Sequence, residues 1–229
     1  MIEEPPILRI YRNFRRPTAA QVDAFRGVPT GFVCDAMEGN GSLATAIAPI
    51  NPAAAYAVGV ALVADNGPAE ILGTMAALNL IQKGDILVSA VQGHQACSAC
   101  GDLVLGMMKN AGAAGFVTDG PMRDIEGIEQ VGLPAWCTGL NPASPYGKGP
   151  ATIGGGTIVG GRQVNSGDII VADRNGVVVI PFERIDEVIA NLEKVKAAEV
   201  AFDAKVKGGM ATVFDHDAMV AEGRAIYLD

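Results

Sequence analysis

One stretch decides the fold: Gly115-Phe116-Val117-Thr118-Asp119-Gly120-Pro121-Met122-Arg123-Asp124. Its first four residues favour a short buried strand. Asp119-Gly120-Pro121 then predicts a tight turn, because glycine tolerates positive φ and proline cannot donate to a β-ladder. A helical pattern begins immediately afterwards, at the two charged residues. A strand, a turn and a charged helix start form the arrangement with which open α/β sheets bind ligands.

The two charged residues have two interpretations. Arg123 can bind a carboxylate through two parallel hydrogen bonds, and Asp124 can ligate a hard divalent metal. Alternatively, both residues are the solvated first turn of a helix, where the helix dipole favours an acidic side chain. The stretch by itself leaves both interpretations open.

Composition indicates a turn-rich α/β protein. Of 229 residues, 49% are hydrophobic, 18% are charged and 29 are glycine, which argues against a helical bundle. The net charge of −8, without a lysine and arginine cluster, argues against a nucleic-acid partner. The sequence shows no signal peptide and no apolar stretch long enough to span a bilayer. We therefore expect a cytoplasmic protein that does not bind membranes.

The pattern along the chain predicts one domain with two arms. We expect an irregular N-terminal arm over residues 1–18, an α/β domain over 19–210 and a C-terminal tail over 211–229. Strands are predicted at 55–64, 86–91 and 133–138, helices at 70–82, 98–111, 123–131 and 183–207, and a β-hairpin region at 152–181. Asn175-Gly176 is a strong signal for a two-residue hairpin turn.

A second strand-to-helix corner lies at residues 92–104. If consecutive βα units pair side by side, both corners open at the same edge of the sheet. Asp102 and the backbone amides of Leu103 and Val104 would then lie near Arg123 and Asp124. Such a set suits a metal-bound 2-oxo acid, because the metal polarises the keto oxygen and the arginine holds the carboxylate. Neither corner carries a lysine for a Schiff base.

Other polar motifs carry weaker signals. Cys97 and Cys100 have the spacing of a redox pair or of half a zinc site, but the chain has no second such pair. We interpret them as small buried residues. Asp215-His216-Asp217 can bind a metal, although a solvated tail is the favoured interpretation. His94 lies in the loop of the second corner, where it either packs or contacts substrate.

Four blocks of the sequence resemble the family of proteins similar to regulator of ribonuclease activity A, which includes the 4-hydroxy-4-methyl-2-oxoglutarate/4-carboxy-4-hydroxy-2-oxoadipate aldolases. The resemblance covers about residues 20 to 210. It rests on these segments: Val33-Cys34-Asp35-Ala36, Gly101-Asp102, residues 115–120 with Arg123-Asp124, and residues 167–173 with 176–181. It implies a swivelling β/β/α domain, assembled as a homotrimer or as a hexamer made of two trimers.

The resemblance also implies an activity, that of a class II pyruvate aldolase with Mg²⁺ or Mn²⁺. Arg123 would bind the carboxylate and keto oxygen of the 2-oxo acid, and Asp124 would ligate the metal. Asp102 would hold metal-bound waters, and the helix start at Gly101, with the amides of Leu103 and Val104, would bind the carboxylate. A glutamate from a neighbouring subunit would complete the site. The best match for it is Glu199, and Glu193 is the weaker one.

The same resemblance leaves a second function open. Oxaloacetate decarboxylation would accompany aldol cleavage, since both reactions pass through the pyruvate enolate. Some relatives are instead non-catalytic regulators that bind a ribonuclease. Such regulators tend to lose the aspartate after the arginine, so the retained Asp124 favours the enzyme. The loop sequence His94-Gln95-Ala96-Cys97 departs from the glycine-rich, acidic loop of the family and leaves the substrate undetermined.

Overall fold

The computed structural model describes residues 5–228, and these form a mixed α/β structure. Its strands are β1 (Leu8–Ile10), β2 (Ala48–Pro49), β3 (Ala57–Asp65), β4 (Asp85–Ala90), β5 (Gly115–Thr118), β6 (Ala135–Cys137), β7 (Ala151–Ile153), β8 (Gly156–Val159), β9 (Arg162–Asn165), β10 (Ile169–Asp173) and β11 (Gly176–Ile180). Its helices are α1 (Ala19–Asp23), α2 (Thr30–Ala36), α3 (Leu72–Ala77), α4 (Asp102–Asn110), α5 (Ile125–Val131), α6 (Ile185–Lys207) and α7 (His216–Ala221). The predicted α/β architecture is confirmed.

Nine of the strands in the described part of the chain form one sheet. Strands β3, β4, β5 and β6 are parallel neighbours in that order, as expected for consecutive βα units. One edge of β3 has two partners, since its first half pairs antiparallel with β10 and its last residues pair antiparallel with β7. Strands β10 and β11 form the hairpin that Asn175-Gly176 predicted.

Adjacent residues of the central strands point to opposite sides of the sheet, and both sets of side chains are buried. The sheet is therefore covered on both faces. On one face, Leu62, Leu87 and Phe116 pack with Leu105 of α4 and with α5. On the other face the core contains the following residues from strands β3 to β6 and from the β8–β9 hairpin: Val63, Val88, Val117, Trp136, Val159 and Val164. This burial fixes the register of the parallel strands and therefore the positions of the loops that follow them.

The segment before α1 is tied to the sheet. Strand β1 pairs parallel with β7, and Arg16 forms a two-pronged ion pair with the buried Asp85, at 2.7 and 2.9 Å. The guanidinium of Arg16 also lies 4.7 Å from the ring centroid of Phe14. These contacts give residues 8–16 a defined path within their own chain.

Two compact units make up the chain, one ending at Leu192 and the other starting at Glu193. Helix α6 begins in the first unit, where Ile185, Val188 and Leu192 are buried. In the second unit, Asp215 caps α7 by accepting a hydrogen bond from the Ala218 amide. Within residues 5–228, no helix has the length and apolar character needed to cross a membrane.

Three predicted helices begin or end elsewhere. The helix predicted at 98–111 begins at Asp102, the one at 70–82 is limited to α3, and the one at 123–131 begins at Ile125. The first difference has a clear cause. The amides of Ser98 and Ala99 donate to the carbonyls of Ala143 and Pro121, so this segment bonds to other loops before the helix starts.

Candidate active site

The two corners lie side by side at the carboxyl ends of β4 and β5. The amide of Arg123 donates to the carbonyl of Cys100 over 3.2 Å, and Cys100 forms a parallel bridge with Met122. The start of α4 is thereby placed against the residues that precede α5. The expectation that both corners open at one edge agrees with this geometry.

Gly101 allows the close approach of the two corners. A Cβ atom at this position would overlap Asp124 Oδ2 and lie 3.2 Å from Arg123 Cγ, which is tighter than ordinary packing. Gly127 has the same role in α5, because a Cβ there would overlap the Asp102 carboxyl group. Because Gly101 and Gly127 have no side chain, Arg123, Asp124 and Asp102 can lie together at one corner.

The Arg123 guanidinium is only partly used by the protein. Its Nη1 donates to Ser144 Oγ over 2.6 Å, and its Nε lies 3.3 Å from Asp124 Oδ2. That Nε is buried and has no hydrogen-bond partner within residues 5–228. The side chain as a whole is 37% exposed, so the guanidinium is oriented from one side and accessible from the other. The contact between Nε and Asp124 is therefore an ion pair without hydrogen-bond geometry.

Asp124 adopts an unusual backbone conformation. Its φ of 65° and ψ of 51° lie in the left-handed region, which costs a non-glycine residue about 1–3 kcal/mol. It occupies the position before α5, where an aspartate commonly caps the helix, yet its side chain makes no capping bond. The carboxylate is instead 47% exposed beside Arg123. Backbone strain and the unused cap are consistent with a carboxylate directed toward a ligand.

Asp102 begins α4 and bonds to its own helix. Its Oδ1 accepts a 2.7 Å hydrogen bond from the Leu103 amide. In contrast, the Val104 amide has no acceptor in the part of the chain that the structure describes, and Gly101 supplies no side-chain cap. Of the two amides predicted to bind a carboxylate, Val104 is therefore available, whereas that of Leu103 is occupied by Asp102.

The structure places His94 in the loop after β4, half-buried, with its carbonyl oxygen facing Gly120. Asp119, which the sequence analysis assigned only to a turn, fixes the same loop. Asp119 accepts hydrogen bonds from the amides of Val91 and Gly93, at 2.7 and 2.9 Å. Burial raises the pKa of the Asp119 carboxyl group above its usual value, although these two amides lower it.

The glutamates predicted to complete the site lie on α6, in the second unit. Glu199 is exposed and has no hydrogen bond or ion pair within residues 5–228, whereas Glu193 accepts a 3.0 Å hydrogen bond from Lys196. Whether either one reaches the corner of a neighbouring subunit stays a prediction. Lys109 donates to the Val131 carbonyl at the far end of α4, consistent with a site that lacks a Schiff-base lysine.

The cysteines have the properties of packing residues. Cys97 and Cys100 are buried free thiols, and burial raises the pKa of both above the ordinary value. Buried thiols with raised pKa values are poor nucleophiles and poor metal ligands. Across residues 5–228, no three His, Cys, Asp or Glu side chains cluster in a way that would hold a metal by themselves.

Comparison with known proteins identifies the family. Residues 30–179 match the family model RraA-like, described as Aldolase/RraA. The chain belongs to this family. A protein of Halalkalibacterium halodurans with the provisional name 4-hydroxy-4-methyl-2-oxoglutarate aldolase is 31% identical over 192 residues, which is 84% of this chain and 91% of the relative. The resemblance read from the sequence motifs is thus confirmed.

Two solved structures share the fold. An uncharacterized Pseudomonas syringae pv. tomato protein superimposes with a TM-score of 0.77 at 22% identity, covering 87% of this chain and 93% of that one. Streptomyces coelicolor RraAS2, described as an unusual member of the RNase ES inhibitor RraA family, superimposes with a TM-score of 0.74 at 24% identity. That match covers 83% of this chain and all of RraAS2. At these identities the similarity supports the fold alone.

Proposed function

We propose that the protein is a divalent-metal-dependent lyase that cleaves a 4-hydroxy-2-oxo acid to pyruvate and a second carbonyl compound. The observation that supports this most directly is the Arg123–Asp124 pair. The guanidinium of Arg123 is partly exposed, and its Nε forms an ion pair with Asp124 without a hydrogen bond. The Asp124 carboxylate is exposed and makes no capping bond, and both groups lie against the start of α4. This set can bind a carboxylate and a hard cation next to each other.

Each side chain of the corner has a role in this proposal. Arg123 binds the carboxylate and keto oxygen of the substrate, and Ser144 fixes the orientation of its planar group. The Val104 amide donates a further hydrogen bond to the carboxylate. The Leu103 amide can join it only when Asp102 Oδ1 releases that amide, so Asp102 would turn toward the metal waters as the substrate binds.

The donor set agrees with Mg²⁺ or Mn²⁺. Mg²⁺ keeps several waters and is commonly bound through one or two carboxylates together with the substrate. Asp124 would ligate such an ion directly, and Asp102 would hold it through water. The bound ion would polarise the keto oxygen, where negative charge develops as the carbon–carbon bond breaks. Because oxaloacetate decarboxylation develops the same charge, we expect it as a side activity.

A homotrimer or hexamer would complete the site with Glu199 of a neighbouring subunit, held to the metal through water. Glu199 is the better candidate than Glu193, whose carboxylate is already paired with Lys196. A shared site of this kind would make catalysis depend on assembly.

The experiment that tests the function is a screen for pyruvate release. The purified protein is incubated with 4-hydroxy-4-methyl-2-oxoglutarate, other 4-hydroxy-2-oxo acids and oxaloacetate, with Mg²⁺ and with a chelator. We expect Mg²⁺-dependent pyruvate formation that Asp124→Ala abolishes without loss of fold. Asp23→Ala, which removes an exposed aspartate paired with Arg26, is the matched control and should retain full activity. Absence of turnover on every substrate, or full turnover by the Asp124 variant, would refute the proposal.

The alternative function is that of a regulator that binds a ribonuclease. The family description, Aldolase/RraA, joins aldolases with RraA proteins and is the reason for including it. Inhibition of a ribonuclease E-type enzyme by both the wild type and the Asp124→Ala variant, without pyruvate release, would support this function over catalysis.

A further inference from the structure

A second cleft contains none of Arg123, Asp124, Asp102 and Ser144 in its lining, and Gln92 from the loop after β4 forms part of its wall. It encloses about 660 Å³ at the carboxyl end of β3. Its polar walls include Arg9 from β1, Asp65 from β3, Lys148 from the loop before β7 and Thr152 from β7. The proposed lyase activity assigns no role to any of these side chains.

Strand register places three of these residues in one row. Arg9 is paired with Thr152 across β1 and β7, and Thr152 is paired with Asp65 across β7 and β3. Side chains of residues paired in register lie on the same face of the sheet, and adjacent strands are about 4.8 Å apart. A guanidinium, a hydroxyl and a carboxylate therefore line the cleft in that order, with about 10 Å between the outer two α-carbons.

Among the residues that the structure describes, Arg9 has no acidic partner and Asp65 Oδ1 has no hydrogen-bond donor. Asp65 Oδ1 is buried and has no hydrogen-bond partner among residues 5–228. Arg9 is exposed, and within the same residues it makes no ion pair with Asp65 or with any other acid. A buried carboxylate oxygen without a donor is rare in native proteins, and it indicates a partner that the chain itself does not supply.

The other acid in the cleft has a structural role. Glu70 accepts hydrogen bonds from four amides, those of Ile71, Leu72, Lys148 and Gly149, at 2.8–2.9 Å. These bonds fix the wall formed by residues 146–149. Of the two acids in the cleft, Asp65 is therefore the one that can accept a hydrogen bond from a ligand.

We propose that this cleft binds a zwitterionic amino acid, whose ammonium group donates to Asp65 and whose carboxylate binds Arg9. Thr152 lies between the two charged groups, where its hydroxyl can bond to either end of the ligand. A metal ion is a poorer fit, because Glu70 is fully used and only one free carboxylate remains. A simple anion is also a poorer fit, because it would leave Asp65 unpaired and be repelled by it.

The test uses defined probes and the full-length protein. Binding of glycine, β-alanine and 4-aminobutyrate is measured by calorimetry and ligand-observed NMR, with propionate and propylamine as probes that each lack one charged end of β-alanine. We expect at least one amino acid to bind, and the single-charge probes to bind about tenfold more weakly or worse. Asp65→Asn and Arg9→Met should each weaken amino acid binding by about tenfold, while circular dichroism and pyruvate release stay unchanged.

Two matched variants separate this cleft from the catalytic corner. Arg26→Met removes an exposed arginine elsewhere, and Asp102→Asn changes the corner, so both should bind the amino acid as the wild type does. The proposal is wrong if no amino acid binds at about 10 mM, or if Asp65→Asn binds as tightly as the wild type. It is equally wrong if propionate or propylamine binds as well as β-alanine.

Discussion

Arg123 and Ser144 connect the corner after β5 to the loop that follows β6, through a 2.6 Å hydrogen bond from Nη1 to Oγ. The bond holds a half-exposed guanidinium in one orientation. A planar cation that recognises a carboxylate through two bonds depends on such orientation. Ser144 is thus a positioning residue for the proposed substrate contact.

Replacing Ser144 by Ala should weaken substrate binding. Loss of one oriented hydrogen bond costs about 1 kcal/mol, or roughly fivefold in kcat/KM. We expect most of the change in KM, measured by steady-state pyruvate release. Ser42→Ala is the control, because Ser42 is exposed and its side chain makes no hydrogen bond within residues 5–228. Equal kinetics for the Ser144 variant and the wild type would remove its positioning role.

Gly101→Ala should abolish the proposed lyase activity, because the added methyl group would displace the Asp124 carboxylate and the Arg123 side chain. A loss of activity by about a hundredfold or more is expected, since small displacements of catalytic groups have effects of this size. Gly106→Ala in the same helix is a matched control. Its added Cβ would lie 3.8 Å from Val131, an ordinary contact, so it should be neutral or stabilising by up to about 1 kcal/mol. Activity that survives in the Gly101 variant would contradict the described packing of the corner.

Glu70 should contribute a pH-dependent part of stability. Burial raises the pKa of its carboxyl group, but the four amides outweigh this and hold the pKa below its usual value. A lowered folded-state pKa means that the contribution is present above the unfolded value of about 4.3 and disappears as pH falls through the folded value.

Glu70→Gln is therefore expected to lose about 1–3 kcal/mol of unfolding free energy at pH 7, and its deficit should shrink in acid. Urea unfolding between pH 7 and pH values below 4 measures this. Glu129→Gln, at an exposed position of α5, should match the wild type throughout. A deficit that does not change with pH would show that Glu70 acts without its charge.

The Arg16–Asp85 pair predicts a large asymmetry between two arginine substitutions. The Asp85 side chain is only 2% exposed, so Arg16→Met would leave a buried charge uncompensated, at a cost of about 3–5 kcal/mol. Arg26→Met removes an exposed pair with Asp23 and should cost less than about 1 kcal/mol. Denaturant unfolding of both variants checks the difference. Similar small losses would mean that the N-terminal segment contributes little to stability.

Glu199 is tested by mixing inactive subunits. Asp124→Ala and Glu199→Ala proteins, each inactive alone, should regain part of the activity when they are unfolded and refolded together, because some sites then contain both intact residues. The control mixes Asp124→Ala with Asp102→Asn, where both changes fall in the same corner and no intact site can form. Recovery in the control alone, or in neither mixture, would exclude Glu199.

Local patterns predicted the central strands β3 to β6 and the adjacency of the two corners, because buried β-runs and turn residues are short-range signals. They missed β1, which lies in the segment expected to be an irregular arm. The family motifs named Arg123, Asp124 and Asp102, which the structure brings close together, and their roles in a site stay predictions. The start of α4 was not predictable in this way. Ser98 and Ala99 have helical neighbours in sequence, but their amides bond to loops that only the folded chain brings near.

Three further features depend on tertiary structure. The left-handed backbone of Asp124 could not be predicted from sequence, because only a small fraction of aspartates adopt positive φ. The partner of Arg123 lies in the loop after β6, and nothing about Ser144 marks it. The burial of Asp65 Oδ1 without a hydrogen-bond donor depends on the register of β3 with its neighbours, which the sequence does not give.

The divided edge of β3 has a kinetic consequence. Val60 pairs with Ile169, and Ala64 pairs with Ile153. The central strand β3 can therefore complete its pairing only after β7 and β10, about 90 to 110 residues further along the chain, have reached it. In such long-range pairings, the entropic cost of closing a large loop comes before the contacts between the strands stabilise the structure. Folding is therefore expected to be slow. Until then, an apolar strand stays uncovered along one side, and refolding yield should fall as protein concentration rises.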